Sequence, residues 1–360
     1  MFIIDYNLYT SVYDLDEILV GKAEKKKIKA ELRRCVINDE APKGPVYIML
    51  KISNRCNSDC AYCVHAFSNS KELRTDPDTQ LLLRIIREAG EMGVSAMTIT
   101  GGEALLRNDV ELLVKEMRDN KITPVLLTNG ILLPSRYESL GEAGLRYIII
   151  SIDSLDPHVY KLQRGIDFSL AKAGIDAALA FKDKYNDAHV HVTVVLTKNN
   201  ADELPSFIKY MTDMGIYVQI SPYHHFNPSV PNTLRITDPE KMFSLTAEIL
   251  KMKREGALIA NSNQFISHFP DFFLNNQRIP VGYKCPVGYM DMFIDAHMNV
   301  RGCWDEKYGN MGSAKEMSLK DIWDSKKYCE ERKKMLQCCC DGCWYLCTGE
   351  QTAFITNEEL

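Results

Sequence analysis

Between Val46 and Ile220 the chain alternates between two hydrophobic rhythms. Short apolar runs predict strands over residues 46–52, 96–100, 123–127, 147–152, 190–196 and 217–220. The stretches between them place apolar residues three or four apart and predict helices over 78–92, 108–118, 134–143, 168–185 and 203–214. In the first of these, Leu81, Leu82, Ile85, Ile86 and Ala89 share one face, and Asn108 or Asp109 lies near the N-cap of the second. Strands that alternate regularly with helices imply a parallel sheet with right-handed crossovers. The strands read as apolar throughout, as when both faces are covered. About 175 residues are too few for a closed eight-fold barrel, so the expected fold is α/β, an open partial (β/α)6 TIM-like barrel. Ligands bind such sheets at the carboxyl ends of the strands.

Outside this repeat the pattern changes. Residues 1–45 hold an apolar start, a charged amphipathic stretch around Ala23 to Arg34 and a Pro/Gly-rich end. They read as a capping segment over the barrel (46–235), too short for a peptide-recognition domain. Lys25 to Lys29 read as a solvated face and Cys35 as a structural thiol. Residues 236–284 contain one helix, 239–253, then a loop with aromatic anchors over 261–280 that lines the substrate entrance. The segment 285–360 is cysteine-rich, with a hairpin suggested by Met292–Ile294 and Asn299–Val300 and a helix over 319–334.

At 46% hydrophobic and 25% charged residues the chain can bury a sizeable core. A net charge of −5 gives no basic surface for nucleic acid. No apolar run has membrane length, and Met1 to Asp5 lacks the marks of a signal peptide, so a cytoplasmic location is expected. In that setting twelve cysteines point to metal binding rather than disulfides, and to an oxygen-sensitive protein.

The densest chemistry is Cys56, Cys60 and Cys63, spaced C-x3-C-x2-C. Three soft thiolates suit an iron–sulfur cluster, and a cube of four irons normally takes four cysteines. Three would leave one iron open to a ligand, as catalytic metal sites do. The alternative is a structural zinc knuckle, but no fourth ligand lies at ribbon spacing and His65 is too close to Cys63. Gly101-Gly102-Glu103 follows a strand end: two glycines permit close backbone approach to a ligand, and the glutamate can receive an ammonium. These residues, Asn129, Ser151, Asp153 and residues 221–225 all fall at the carboxyl ends of predicted strands.

Together the two motifs resemble the radical S-adenosylmethionine (SAM) enzymes. Their cluster loop carries an aromatic residue before the last cysteine, matched by Cys56, Cys60, Tyr62 and Cys63. Their Gly-Gly-Glu motif binds the methionine amino group and is matched by Gly101, Gly102 and Glu103. The resemblance covers residues 46 to 350. It implies a [4Fe–4S] cluster with three cysteine ligands, SAM on the open iron, and a 5′-deoxyadenosyl radical that takes a hydrogen atom from substrate. It further implies that Ser151 and Asp153 contact the ribose, unless they form a Ser-x-Asp helix cap. Arg164, before Gly165, is expected to meet the SAM carboxylate or to form a surface ion pair, and Asn129 to contact the cofactor or shape its turn. The tail resembles twitch or SPASM extensions, which implies one auxiliary [4Fe–4S] cluster on Cys285, Cys303, Cys340 and Cys343, a second cluster or a zinc site being the alternatives. It departs from the full pattern. The glycine expected five residues before Cys303 is Met298, the C-x5-C-x3-C continuation is missing, and Cys338, Cys339 and Cys347 compete as ligands.

For the substrate, Gln219, Tyr223, His224 and His225 face the predicted mouth. A histidine there titrates near neutrality and can take a proton, the alternative being ordinary loop histidines. Cys329 is either a hydrogen-atom donor or a structural thiol. The first functional reading is a radical SAM oxidoreductase that modifies a small molecule of sugar, aminocyclitol or nucleoside type in natural-product biosynthesis. A maturase that crosslinks or epimerises a ribosomal peptide is the second. An iron–sulfur electron carrier is the third, and Gly101-Gly102-Glu103 speaks against it. The implied partners are a small-molecule or peptide substrate and a reductase such as flavodoxin or ferredoxin, with no nucleic acid and no membrane.

Overall fold

The computed structural model describes residues 30–31, 33–63, 76–225, 232–275, 285–303, 308–337, 343–345 and 350. Most of the N-terminal segment, His65, Cys338, Cys339, Cys340 and Cys347 lie outside the described residues.

Six parallel strands form the barrel: β1 (Tyr47–Ser53), β2 (Ala96–Gly101), β3 (Thr123–Thr128), β4 (Tyr147–Ser151), β5 (His189–Leu196) and β6 (Tyr217–Pro222). Between them run α1 (Thr79–Met92), α2 (Val110–Asp119), α3 (Tyr137–Ala143), α4 (Pro157–Arg164), α5 (Phe168–Lys184) and α6 (Leu204–Asp213). The ends follow local chemistry. The Asp78 side chain accepts from the N–H groups of Gln80 and Leu81 to start α1, and Gly93 ends it at φ 82°. Helix α4 was not expected from the sequence. Asp156 caps it by accepting from His158 and Val159, and Pro157 opens its first turn.

The strands are not apolar on both faces. Ile48, Leu50, Ile52, Met97, Ile99, Leu126, Ile148, Ile150, Val192, Val194, Val218 and Ile220 are fully buried on one face. The other face is mixed: Met49, Val125, Leu127, Ile149 and Val195 share it with polar positions. There Lys51 pairs with Thr100, Ser151 with Thr193, and Thr193 with Gln219. In-register neighbours point the same way, so one face packs under helices and the other, the barrel interior, carries rows of polar groups among apolar ones.

The tail does not stand apart from the barrel. After α7 (Pro239–Arg254), the expected aromatic loop is two short helices, α8 (Asn263–Ser267) and α9 (Phe269–Leu274). Phe265 and Phe269 pack edge to face at 5.5 Å, one helical turn apart. Then come α10 (Val287–Met290), β7 (Asp291–Ile294), β8 (Asn299–Arg301) and β9 (Gly312–Ser313). β7 pairs in parallel with β1, Met49 opposite Phe293, and β8 returns antiparallel to it. The expected hairpin therefore extends the barrel into a nine-stranded sheet. Met298, where the family pattern has glycine, sits in its turn at φ 67°. The predicted helix over 319–334 is broken into α11 (Leu319–Trp323) and α12 (Lys326–Leu336), because the Ser325 hydroxyl caps a new start by accepting from Tyr328 N–H. Arg332 of α12 is buried against Trp323 and Tyr328, its guanidinium 4.5 and 4.7 Å from their ring centres.

Candidate functional site

The loop bearing Cys56, Cys60 and Cys63 is held at the carboxyl rim from three directions. From below, β1 continues into it: Gly102 N–H donates to Ser53 O at 2.8 Å and Glu103 N–H to Arg55 O at 2.7 Å. A side chain on Gly101 would lie 2.2 Å from Ser53 O, and one on Gly102 would lie 2.2 Å from Arg55 O and 3.1 Å from Cys56 Cβ. The glycines thus make room for the cysteine loop itself, where the sequence suggested room for a ligand. Ser53 Oγ donates to Asp76 at 2.7 Å, and Arg55 Nε donates to the same carboxylate at 3.0 Å.

From the side comes Asn129. Its Nδ2 donates to Asn57 Oδ1 at 2.7 Å and Ser58 Oγ at 3.0 Å, and its Oδ1 accepts from Ile131 N–H at 3.0 Å. It shapes its turn, as one reading had it, and also ties that turn to the residues between the cysteines. Glu103 does not face outward. It is buried, and its carboxylate accepts from Leu105 N–H at 3.0 Å, Thr128 Oγ1 at 2.8 Å and Asn129 N–H at 2.8 Å. Burial raises its pKa, against the pull of those donors. In this arrangement the side chain anchors the β2 and β3 ends to each other.

From the far side comes the end of α4. Asp59 N–H donates to Arg164 O at 3.2 Å and Ala61 N–H to Gln163 O at 2.9 Å. Gly165, at φ 70°, lets Asp59 O come within 2.6 Å of where a Cβ would be. Arg164 is neither at the surface nor turned to a ligand: Nε and Nη2 grip Asp153 at 2.7 and 2.9 Å. Asp153, 1% exposed, also accepts from Tyr62 Oη at 2.5 Å and Val195 N–H at 2.9 Å. Both of its oxygens are thus doubly engaged, and the cap of α4 is Asp156, not Asp153. Ser151 stays on the barrel interior opposite Thr193.

The residues present fit a cluster. The donor set is three thiols, and polar hydrogens already approach two of them: Ser58 N–H lies 3.4 Å from Cys56 Sγ and Arg164 Nη1 3.9 Å from Cys60 Sγ. Burial pushes the Cys60 thiol up to about 11, so iron uptake there releases a proton. Among the described residues no three His, Cys, Asp or Glu side chains converge on a single-ion site. In the tail, Cys285 and Cys303 are buried where the β7–β8 hairpin begins and ends, and Cys343 is partly exposed beside Trp344. Cys329 lies on α12, 3.6 Å from Arg332 Nη1.

The histidines at the β6 end divide. Trp344 N–H donates to His224 Nε2 at 3.1 Å, so Nδ1 carries the proton and donates to Pro222 O at 2.8 Å. The ring stacks on Tyr345 at 3.5 Å. His224 therefore clasps the C-terminal segment to β6, and burial pushes its pKa down to about 3. This corrects its reading as a catalytic base poised near neutrality. Tyr223 is buried, its Oη 3.0 Å from His225 Nδ1, and that pair remains a candidate at the mouth.

Burial likewise pushes His191, on β5, down to about 3. A histidine whose folded pKa is depressed stabilises the fold above its unfolded pKa and loses that contribution as pH falls. Below about pH 6.5 each of the two then steepens the loss by up to about 1.4 kcal/mol per pH unit. Urea midpoints at pH 6.5 and 5.5 check this: H191F should lose less stability across that interval than wild type, and an equal loss would refute the assignment.

A parallel partial barrel whose rim presents three cysteines is a scaffold that fits an iron–sulfur cluster. The comparisons with known proteins specify the domains. The Radical SAM superfamily profile matches residues 50–211 and the SPASM iron–sulfur cluster-binding domain matches residues 285–344. Residues 50–211 thus carry a radical SAM domain and residues 285–344 a SPASM iron–sulfur domain, and the cofactors these domains hold are SAM, a [4Fe–4S] cluster and auxiliary iron–sulfur. The GTP 3′,8-cyclase of Petrotoga mobilis is 36% identical over 187 residues, 49% of this chain and 55% of that protein. The chain thus spans about half the length of such curated relatives. Streptococcus suis SuiB, solved with S-adenosylmethionine and with precursor peptide SuiA, shares the fold at a TM-score of 0.65 and 19% identity, over 88% of this chain and 74% of that one. So does anSMEcpe with bound AdoMet, at a TM-score of 0.64 and 18% identity, over 81% of this chain and 84% of that one. Among the described residues no helix is long and apolar enough to cross a membrane.

Sequence reasoning missed Asn57, Ser58 and Gln163, whose only signal is adjacency to a cysteine or to Arg164. It also missed the polar rows of the interior, which period-two alternation in Lys51-x-Ser53, Thr98-x-Thr100 and Gln219-x-Ser221 does announce.

Proposed function

We propose that this enzyme removes a hydrogen atom from an unactivated C–H bond of a polar, hydroxylated small molecule of sugar or nucleoside type. When bound, the cluster and SAM supply a 5′-deoxyadenosyl radical; the chain orients both partners and excludes water. The observation that carries the reading is the barrel interior. Lys51, Thr100, Ser151, Thr193, Gln219 and Ser221 give it hydroxyl, amide and one cationic group below the rim. These groups, set among Met49, Val125, Leu127 and Ile149, can hydrogen-bond the hydroxyls and anionic groups of such a substrate. The GTP 3′,8-cyclase relatives, 36% identical over 187 residues in one case, support the nucleotide end of this range. Tyr223 and His225 lie at the mouth to receive a proton, and a reductase of the flavodoxin or ferredoxin type supplies the electron.

The second reading, maturation of a ribosomal peptide, is favoured by the likeness to SuiB, which was solved with a precursor peptide. Deuterated substrates separate the two. Reduced, anaerobically reconstituted protein is given SAM with perdeuterated nucleotides and sugars, GTP included, and separately with deuterated precursor peptides. Deuterium appearing in 5′-deoxyadenosine from the small molecules supports the first reading; transfer from peptide alone overturns it. The variant with Cys56, Cys60 and Cys63 all changed to Ala should release no 5′-deoxyadenosine and lose about four irons per chain while keeping those of the tail. Full 5′-deoxyadenosine release by that variant would remove the cysteine loop from the chemistry.

A further inference from the structure

We propose that Arg164 is a positioning residue that sets how readily the first cluster is reduced, by directing its remaining guanidinium nitrogen at the Cys60 ligand. Nε and Nη2 are fixed on Asp153, and Nη1 lies 3.9 Å from Cys60 Sγ. The side chain is only 7% exposed, and Tyr62 closes over it, ring centre 5.5 Å from the guanidinium carbon. Asp153 is held in turn by Tyr62 Oη and Val195 N–H, so the fork cannot rotate without breaking a buried ion pair. The Arg164 and Gln163 carbonyls at the end of α4 accept from Asp59 and Ala61 N–H and so fix the cysteine loop against this guanidinium.

The electrostatic consequence follows from the order of charges. Reduction adds one electron to the cluster. A cation and an N–H donor at a ligand sulfur stabilise that added charge and raise the potential, and burial keeps solvent ions from screening it. Asp153 opposes this, but Arg164 brings an N–H donor to 3.9 Å from the Cys60 sulfur. The fixed fork also separates this role from the one the family resemblance implied. A guanidinium holding Asp153 with two nitrogens and facing Cys60 with the third would have to leave one of them to bind the SAM carboxylate.

The test needs no substrate and stands apart from the substrate reading. The full chain is reconstituted anaerobically, and the first cluster is titrated by EPR, its signal identified by its change on adding SAM and its absence in C60A. The variants are R164K, which keeps the charge but not the fork, and D153N/R164M, which removes both charges together. Each should shift the reduced-to-oxidised ratio about tenfold toward oxidised at a fixed potential, about 59 mV for one electron. The shift should appear without SAM, with the Kd for SAM changed less than about twofold. An unmoved midpoint overturns the proposal, and an unmoved midpoint with lost SAM affinity assigns Arg164 to the SAM carboxylate. Where neither variant takes up iron, wild type labelled with 15N-arginine is read by pulsed EPR. A nitrogen coupling to the reduced cluster is expected, and its absence overturns the proposal.

Discussion

Gly102→Ala should empty the first cluster site while leaving most of the barrel folded. The added Cβ would stand 2.2 Å from Arg55 O and 2.6 Å from Arg55 C. Both are backbone atoms at the point where β1 becomes the cysteine loop, and no side-chain rotation relieves the overlap. One strand end must retreat from the other, which breaks the Gly102–Ser53 and Glu103–Arg55 hydrogen bonds and displaces Cys56, whose own Cβ is 3.1 Å from the new methyl. Overpacking of this kind costs about 3 kcal/mol. The functional loss is larger, because a cluster needs all three sulfurs in place at once. We expect iron content to fall by about four per chain and 5′-deoxyadenosine release to vanish. Gly93→Ala is the control. That glycine also has a left-handed backbone, φ 82°, but nothing lies within 4 Å of its Cβ position. It should cost about 1 kcal/mol and leave the cluster intact. Full iron occupancy in Gly102→Ala would mean that the glycine pair serves the ligand and not the loop.

The contrast between these glycines marks how far the sequence could be read. A Gly-Gly after a strand announces close approach but does not say to what, and here the neighbour is the chain's own β1 extension. The strands and the helices with a clear apolar stripe were legible because their patterns are local. α4 was not, because its exposed face is wide and its apolar residues few, although Asp156-Pro157 is a readable start. The α11–α12 break was missed because Ser325 competes with a helix only once its hydroxyl finds the Tyr328 N–H. The three cysteines stand out as a candidate cluster site from their spacing. The residues that hold them do not. Asn129 lies 72 positions from Asn57, and Asp153 lies 91 from Tyr62. Only the parallel sheet brings them to one rim. His224 shows the reverse error: a histidine near a predicted mouth reads as chemistry, and its neutral clasp on Trp344 appears only with the tail in place.

The largest effect on stability should come from Asp153→Ala. The substitution removes the carboxylate gripping Arg164 and leaves a buried guanidinium, the Tyr62 hydroxyl and the Val195 N–H without this acceptor. Breaking one side of a buried ion pair costs about 3–5 kcal/mol, mostly as the penalty of the charge left behind. Asp153→Asn should cost less, since the amide oxygen still accepts one donor, but its NH2 faces the guanidinium. Adding R164M to D153N removes the stranded charge, so the double variant should be more stable than the sum of the two single losses predicts, by at least about 1 kcal/mol. Urea midpoints of the four proteins close this cycle. Additive losses would show that the two side chains do not act as a pair. The cycle also separates two uses of one contact: stability follows whether the charges are matched, whereas the approach of α4 to the cysteine loop depends on the fork itself. D153N/R164M should thus regain folding stability without regaining the wild-type reduction behaviour of the cluster, and parallel recovery of both would mean that the ion pair only holds the helix in place.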